Sequence, residues 1–172
     1  MCIRDRVDRP VEIHRSRLDL GVQPAPRGVR RQDVDSGNGL PGVLFEPPGA
    51  DRSRLVLHFH GGGYVLGAPG REGAFLGKIA LESSVPVLAA GYRLAPEHSA
   101  SDALQDALKA IDAVLEQGVE PHNLFLWGDS AGGGLALRAL LARRDAGLSP
   151  LGGAVLGSPW VCLLYTSDAA DE

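Results

Sequence analysis

The sequence predicts an α/β fold in which a mostly parallel sheet carries helices on both faces. Three observations predict it. From Leu55 onward, short apolar or alternating runs are separated by segments whose apolar residues recur at helical spacing, the pattern of parallel strands joined by crossover helices. Two of the runs, Leu55–His60 and Asn123–Trp127, break into glycine-rich segments at their C-terminal ends, where sites in such sheets lie. The stretch Leu124–Leu137 reads as a strand, a turn of small residues centred on Ser130 and the start of a helix.

Val7–Arg30 is rich in Arg and Pro, and its His14, Leu18 and Leu20 are too scattered to define a helix. Val29–Val34 and Leu40–Phe45 read as two strands joined by the turn Asp35-Ser36-Gly37-Asn38-Gly39, with Pro47-Pro48-Gly49 ending the second. Leu55–His60 alternates Leu55, Leu57 and Phe59 against Val56, His58 and His60, then enters three glycines. Arg71–Ser83 carries Phe75, Ile79 and Ala80 at helical spacing, and Val85–Ala90 is a buried-strand run. Ser99–Asp102 supplies an N-cap to a helix whose Leu104, Leu108, Ile111 and Leu115 form an apolar stripe up to Gly118. After the turn at Ser130, Leu135, Leu140 and Leu141 continue a helix, leaving Arg138, Arg143 and Arg144 for solvent and Gly147 near its end. Gly153–Gly157 is a further strand.

The two ends look foreign to the rest. Met1-Cys2-Ile3-Arg4-Asp5 can be encoded by a DNA string whose reverse complement reads Cys162-Leu163-Leu164-Tyr165-Thr166 and begins Ser167. Residues 1–6 and 162–172 are therefore expected to derive from a short element resembling a transposase-type sequencing adapter. Residues 7–161 would then be the N-terminal part of a single domain. The only cysteines, Cys2 and Cys162, and the only methionine, Met1, fall in the suspect ends, so the insert holds no disulfide or thiolate metal site.

The chain of 172 residues has 17 basic and 21 acidic side chains, a net charge of −4. Arg4, Asp5 and Arg6 contribute +1 and Asp168, Asp171 and Glu172 contribute −3, which leaves −2 for the insert. No basic run invites nucleic acid, and no apolar run is long enough to span a membrane. The compartment stays open.

Gly128-Asp129-Ser130-Ala131-Gly132 fits G-x-S-x-G, in which small neighbours let a serine sit on a strained strand-to-helix turn with its hydroxyl exposed. The helix N-terminus favours negative charge, and the Ala131 N–H is the nearest donor to an oxyanion. Upstream, His60-Gly61-Gly62-Gly63-Tyr64 offers a run where backbone N–H groups of Gly61 and Gly62 approach a substrate unobstructed. In a glycine-rich chain each motif alone could be a chance spacing or a flexible turn; together, after successive strands, they point to acyl transfer. His58 and His60 share a strand face but find no third ligand at matching spacing, so no metal is expected. Gly132–Gly134 at a helix start would suit a phosphate, but the lysine of a P-loop is missing. No cofactor is implied.

His60–Tyr64, then Tyr92-Arg93-Leu94-Ala95-Pro96-Glu97-His98, then Gly128–Gly133, in this order and separation, resemble the hormone-sensitive-lipase group of α/β-hydrolases. The resemblance covers essentially the whole insert. It implies the α/β-hydrolase fold and a carboxylic ester hydrolase acting on short to medium acyl esters through an acyl-enzyme, with a small-molecule ester as its partner. It also implies Ser130 as nucleophile, Gly61, Gly62 and Ala131 as oxyanion hole, and His60 and Gly63 as support of the loop. Tyr92, Arg93 and Glu97 would form a polar network under the site, with His98 and His122 on the surface.

One departure stands out. In that group the acid and histidine follow the serine, yet no histidine follows Ser130 here. Asp145 falls at the end of the helix after the turn, and Asp168, Asp171 and Glu172 lie in the foreign end. The chain is thus expected to stop after the strand following the turn, to lack the catalytic Asp and His, and to be inactive and unstable as a monomer by itself. The alternative is a non-catalytic small-molecule receptor on the same fold, since the resembled group includes plant hormone receptors that keep the serine and lose the histidine. Acyl and alcohol specificity and oligomeric state are not written in these motifs.

Overall fold

The computed structural model describes Arg15, residues 21–37 and residues 39–161. The stretches 1–6 and 162–172 assigned above to flanking DNA lie outside the described residues, as do His14, Leu18, Leu20 and Asn38.

Strands β1 (Arg30–Asp35) and β2 (Pro41–Glu46) form the expected antiparallel hairpin. The Asp35 carboxylate shapes its turn by accepting from the Gly37 and Gly39 amides, each at 2.8 Å. Then follow β3 (Leu55–Phe59), α1 (Gly73–Ser83), β4 (Val87–Ala90), α2 (Ala100–Glu116), β5 (Leu124–Asp129), α3 (Ser130–Asp145) and β6 (Gly153–Gly157). The sheet order is β1-β2-β4-β3-β5-β6. β2 pairs antiparallel with β4, whereas β4, β3, β5 and β6 run parallel. This is the mostly parallel sheet that the alternating pattern predicts.

Strand alternation sorts side chains between two cores. Val43, Phe45, Val87 and Ala89 point to one face and pack with Leu76 and Ala80 of α1. Leu57, Phe59, Leu88, Ala90, Leu124 and Leu126 point to the other, with α2 and α3 above them. His58, between Leu57 and Phe59, therefore projects to the α1 face.

The buried stripe of α2 is rotated from the one expected. Its centre is Ala103, Ala107, Ala110, Ile111 and Val114, while Leu104, Leu108 and Leu115 flank it half-buried. Alanines let the helix axis approach the equally small Ala136 and Ala139 of α3, and the longer leucines close the rim. Ser99 caps this helix in a reciprocal box with Asp102. Arg143, expected in solvent, is 6% exposed and donates to Asp112 of α2 at 3.1 Å. Arg144 does face solvent. Helix–helix packing decides between two neighbouring arginines that periodicity treats alike.

Candidate active site

β5 ends at Asp129 and α3 begins at Ser130, with no residue between them. Ser130 is exposed and takes φ 49°, a left-handed value that costs a non-glycine residue about 1–2 kcal/mol. Bare backbone on both sides makes the turn possible. A Cβ on Gly128 would stand 2.3 Å from the Gly132 carbonyl oxygen, and one on Gly132 would stand 2.0 Å from the Phe59 carbonyl oxygen. α3 thus seats directly on the end of β3, which brings the glycine loop after β3 beside the serine. On the other side, the Trp160 amide donates to the Ser130 carbonyl at 2.8 Å.

Asp129 occupies the N-cap position of α3 with extended backbone (φ −113°, ψ 148°), yet its side chain makes no capping bond. The first-turn amides of α3, Ala131 among them, receive nothing from it. Its carboxylate turns instead to the other side of the turn. There a Cβ on Gly61 would meet Oδ2 at 2.3 Å, and Oδ1 stands 3.8 Å from Nε2 of His58. His58 first, and the Gly61 backbone in smaller part, hold the Asp129 carboxyl below the usual carboxylate range against its partial burial. Gly61 is therefore shared between the glycine loop and this carboxylate, whereas Gly62 (φ 124°) is exposed beyond it.

His60 is buried and cannot reach out as a base. Its Nδ1–H donates to the Gly61 carbonyl at 2.8 Å, its ring stacks on Tyr92 at 4.4 Å, and the Tyr92 hydroxyl donates to its carbonyl at 2.7 Å. Burial pushes the imidazole down to about 4 despite the opposing bond to Gly61, so it is neutral at pH 7. Burial likewise raises the Tyr92 phenol, keeping it a donor. Gly63 lies 3.6 Å, measured from the position of a Cβ, from the Trp160 ring.

The expected polar network under the site divides into three parts. Tyr92 does brace the glycine loop. Arg93 instead pins α2, donating Nε and Nη2 to the two oxygens of the buried Asp106 at 2.7 and 2.8 Å. Glu97 is held by Arg15 at 2.7 and 2.9 Å, and Arg15 also donates to the carbonyls of Val65 and Ala95. Arg15 lies in the Arg- and Pro-rich stretch where no periodicity marks an element, so the sequence offers no signal for it.

His98 and His122 are exposed, as expected. Asp145 sits exposed at the far end of the 16-residue helix that Ser130 opens, roughly 22 Å away at 1.5 Å per residue. The donors gathered near His58 are Glu72 and Asp129, within 4.8 Å of one another. His60 is not among them, because it lies past the end of β3 and its ring is turned to Tyr92. In the sequence this cluster shows only as a histidine at an alternating strand position; its register with Trp127 of β5 comes from the sheet.

A mostly parallel sheet with a strained serine at the C-terminal end of an interior strand, opposite a glycine loop from the neighbouring strand, defines an α/β hydrolase. Comparison with known proteins agrees. Residues 56–172 match the family described as the alpha/beta hydrolase fold, and the chain belongs to it. It is 41% identical over 116 residues to an acetyl-hydrolase of Streptomyces hygroscopicus, covering 67% of this chain and 39% of that protein. An ethyl acetate hydrolase of Pseudomonas putida is 39% identical over 119 residues, covering 63% and 37%. The solved structure of an esterase from the bacterial hormone-sensitive lipase family superposes with a TM-score of 0.83 at 32% identity, covering 99% of this chain and 60% of that one. The chain spans about two fifths of the two curated relatives' length. Among the described residues no helix is long and apolar enough to cross a membrane.

Proposed function

We propose that the whole protein of which this chain forms part is a carboxylic ester hydrolase that cleaves short to medium acyl esters through an acyl-enzyme on Ser130. The observation that carries this reading is the exposed Ser130 at φ 49°, set on a helix N-terminus that its own N-cap residue leaves uncapped. In the first half-reaction Oγ of Ser130 bonds to the ester carbonyl carbon while a base takes its proton. The tetrahedral oxyanion is held by N–H groups of Ala131 and Gly62, with Gly61 contributing what Asp129 leaves free. Collapse expels the alcohol, which takes up the proton, and water then releases the acid by the same route. His60 and Gly63 support the loop and stay out of proton transfer, because the His60 ring is buried, neutral and already engaged. No metal or cofactor enters these steps. The relatives named for acetyl and ethyl acetate hydrolysis favour small acyl groups for this protein too.

His60 is engaged by Gly61 and Tyr92, and His58 faces Asp129 and Glu72, so neither is placed as the base and the 172-residue chain by itself is expected to turn over no ester. The test is made on the whole protein with nitrophenyl esters of short acids and a fluorophosphonate probe. Labelling at Ser130 and a fall in kcat of several orders of magnitude in Ser130→Ala are expected. Wild-type turnover in that variant sinks the assignment.

A further inference from the structure

His58 has no place in the mechanism above, yet its position is unusual. It is 2% exposed, and neither ring nitrogen has a hydrogen-bond partner, although an unmet buried polar group is costly. The groups its Nε2 faces are both carboxylates: Asp129 Oδ1 at 3.8 Å and Glu72 Oε2 at 3.9 Å. Asp129 Oδ1 is itself buried without a partner.

The conduct of Asp129 makes the arrangement informative. Aspartate is among the preferred N-cap residues, and when it caps, its carboxylate accepts from the amide two or three positions into the helix. Asp129 has the extended backbone of a capping residue. With Ser130 as the first helical residue, the amides it would take are those of Ala131 and Gly132. Ala131 is also the donor assigned above to the oxyanion. A capped Asp129 would fill that donor and set a negative charge against the developing one. In the structure the carboxylate lies on the opposite side, toward His58 and Gly61.

We propose that His58 is a positioning residue: by pairing with Asp129 on the α1 face of the sheet, it keeps that carboxylate off the N-terminus of α3 and leaves the Ala131 amide open to the oxyanion. The device trades the stability of a helix cap for a vacant donor. It rests on the reading of Ser130 as nucleophile, but its structural half stands without it.

The test uses the whole protein with His58→Leu, Asp129→Ala and the double variant. In His58→Leu, Asp129 swings onto the helix: kcat falls about 10- to 100-fold, approaching the loss of an oxyanion donor, while KM changes less than about twofold. The thermal unfolding midpoint stays level or rises, and it rises less when Asp129→Ala is also present, because no carboxylate then remains to cap the helix. The Ala131 amide proton moves downfield in ¹H–¹⁵N spectra as it gains a carboxylate acceptor. In the Asp129→Ala background, adding His58→Leu has no further effect on kcat, because no carboxylate remains to restrain. His58→Gln, which keeps a donor, recovers much of what leucine loses. Multiplying losses in the double variant, or an unmoved Ala131 amide in His58→Leu, would overturn the proposal. So would wild-type activity abolished by a chelator and restored by zinc, which would make His58, Glu72 and Asp129 a metal site. Failure of Ser130→Ala to lower activity would sink the esterase reading instead, and the Ala131 amide would still report whether Asp129 had moved.

Discussion

Tyr92 holds His60 twice: its hydroxyl donates to the His60 carbonyl at 2.7 Å, and its ring lies on the imidazole at 4.4 Å with an interplanar angle of 16°. Two residues separated by 32 positions thus fix the point where β3 becomes the glycine loop. Removing only the hydroxyl separates the two contacts. Tyr92→Phe keeps the stack and strands a buried carbonyl, which costs about 1–3 kcal/mol. Denaturant unfolding of the whole protein reads that cost. On the proposed role of the loop as oxyanion hole, kcat for a short ester should also fall, by about tenfold, with KM little changed. Unchanged values of both would mean that the bond holds nothing in place.

Acid should loosen the same element. The His60 imidazole titrates at about 4 in the fold against 6.5 for the ordinary group, chiefly through burial. The native state therefore binds fewer protons than the unfolded chain between these values. Its contribution is complete above about pH 6.5 and is lost as the pH falls toward 4, a change of about 3 kcal/mol at most. The measurement is the difference in unfolding free energy between wild type and His60→Asn across that window, which cancels the carboxylates. Parallel pH curves for the two proteins would show that His60 is not buried neutral.

The turn at Ser130 tolerates no side chain at Gly132. A Cβ there would stand 2.0 Å from the Phe59 carbonyl oxygen and 2.6 Å from that of His60, and backbone cannot yield as a flexible side chain does. Gly132→Ala should destabilise by about 3 kcal/mol or more and should displace β3 from α3, abolishing labelling of Ser130. Gly118→Ala is the control: its φ of 95° is strained for alanine, but nothing lies within 4 Å. It should cost only the backbone term of about 1–2 kcal/mol and leave labelling intact. Equal behaviour of the two variants would remove the steric account.

What the sequence determined by itself is what neighbouring residues enforce. An apolar run followed by Gly-Asp-Ser-Ala-Gly admits few conformations other than strand, tight turn and helix, because only small residues survive the approach of one backbone to another. The capping box at Ser99 and Asp102, the hairpin turn around Gly37 and the last strand from Gly153 to Gly157 are equally local. Tertiary structure decided which side of a strand or helix meets which neighbour, and therefore which polar groups pair. Arg15 reaches Glu97 across 82 positions and Arg143 reaches Asp112 across 31. The sheet order that places β3 beside β5 carries His58 to Asp129. In a sequence, Asp129 is simply a good N-cap residue. Its carboxylate lies instead toward a histidine on another strand, and a contact between side chains of separate strands has no period to read.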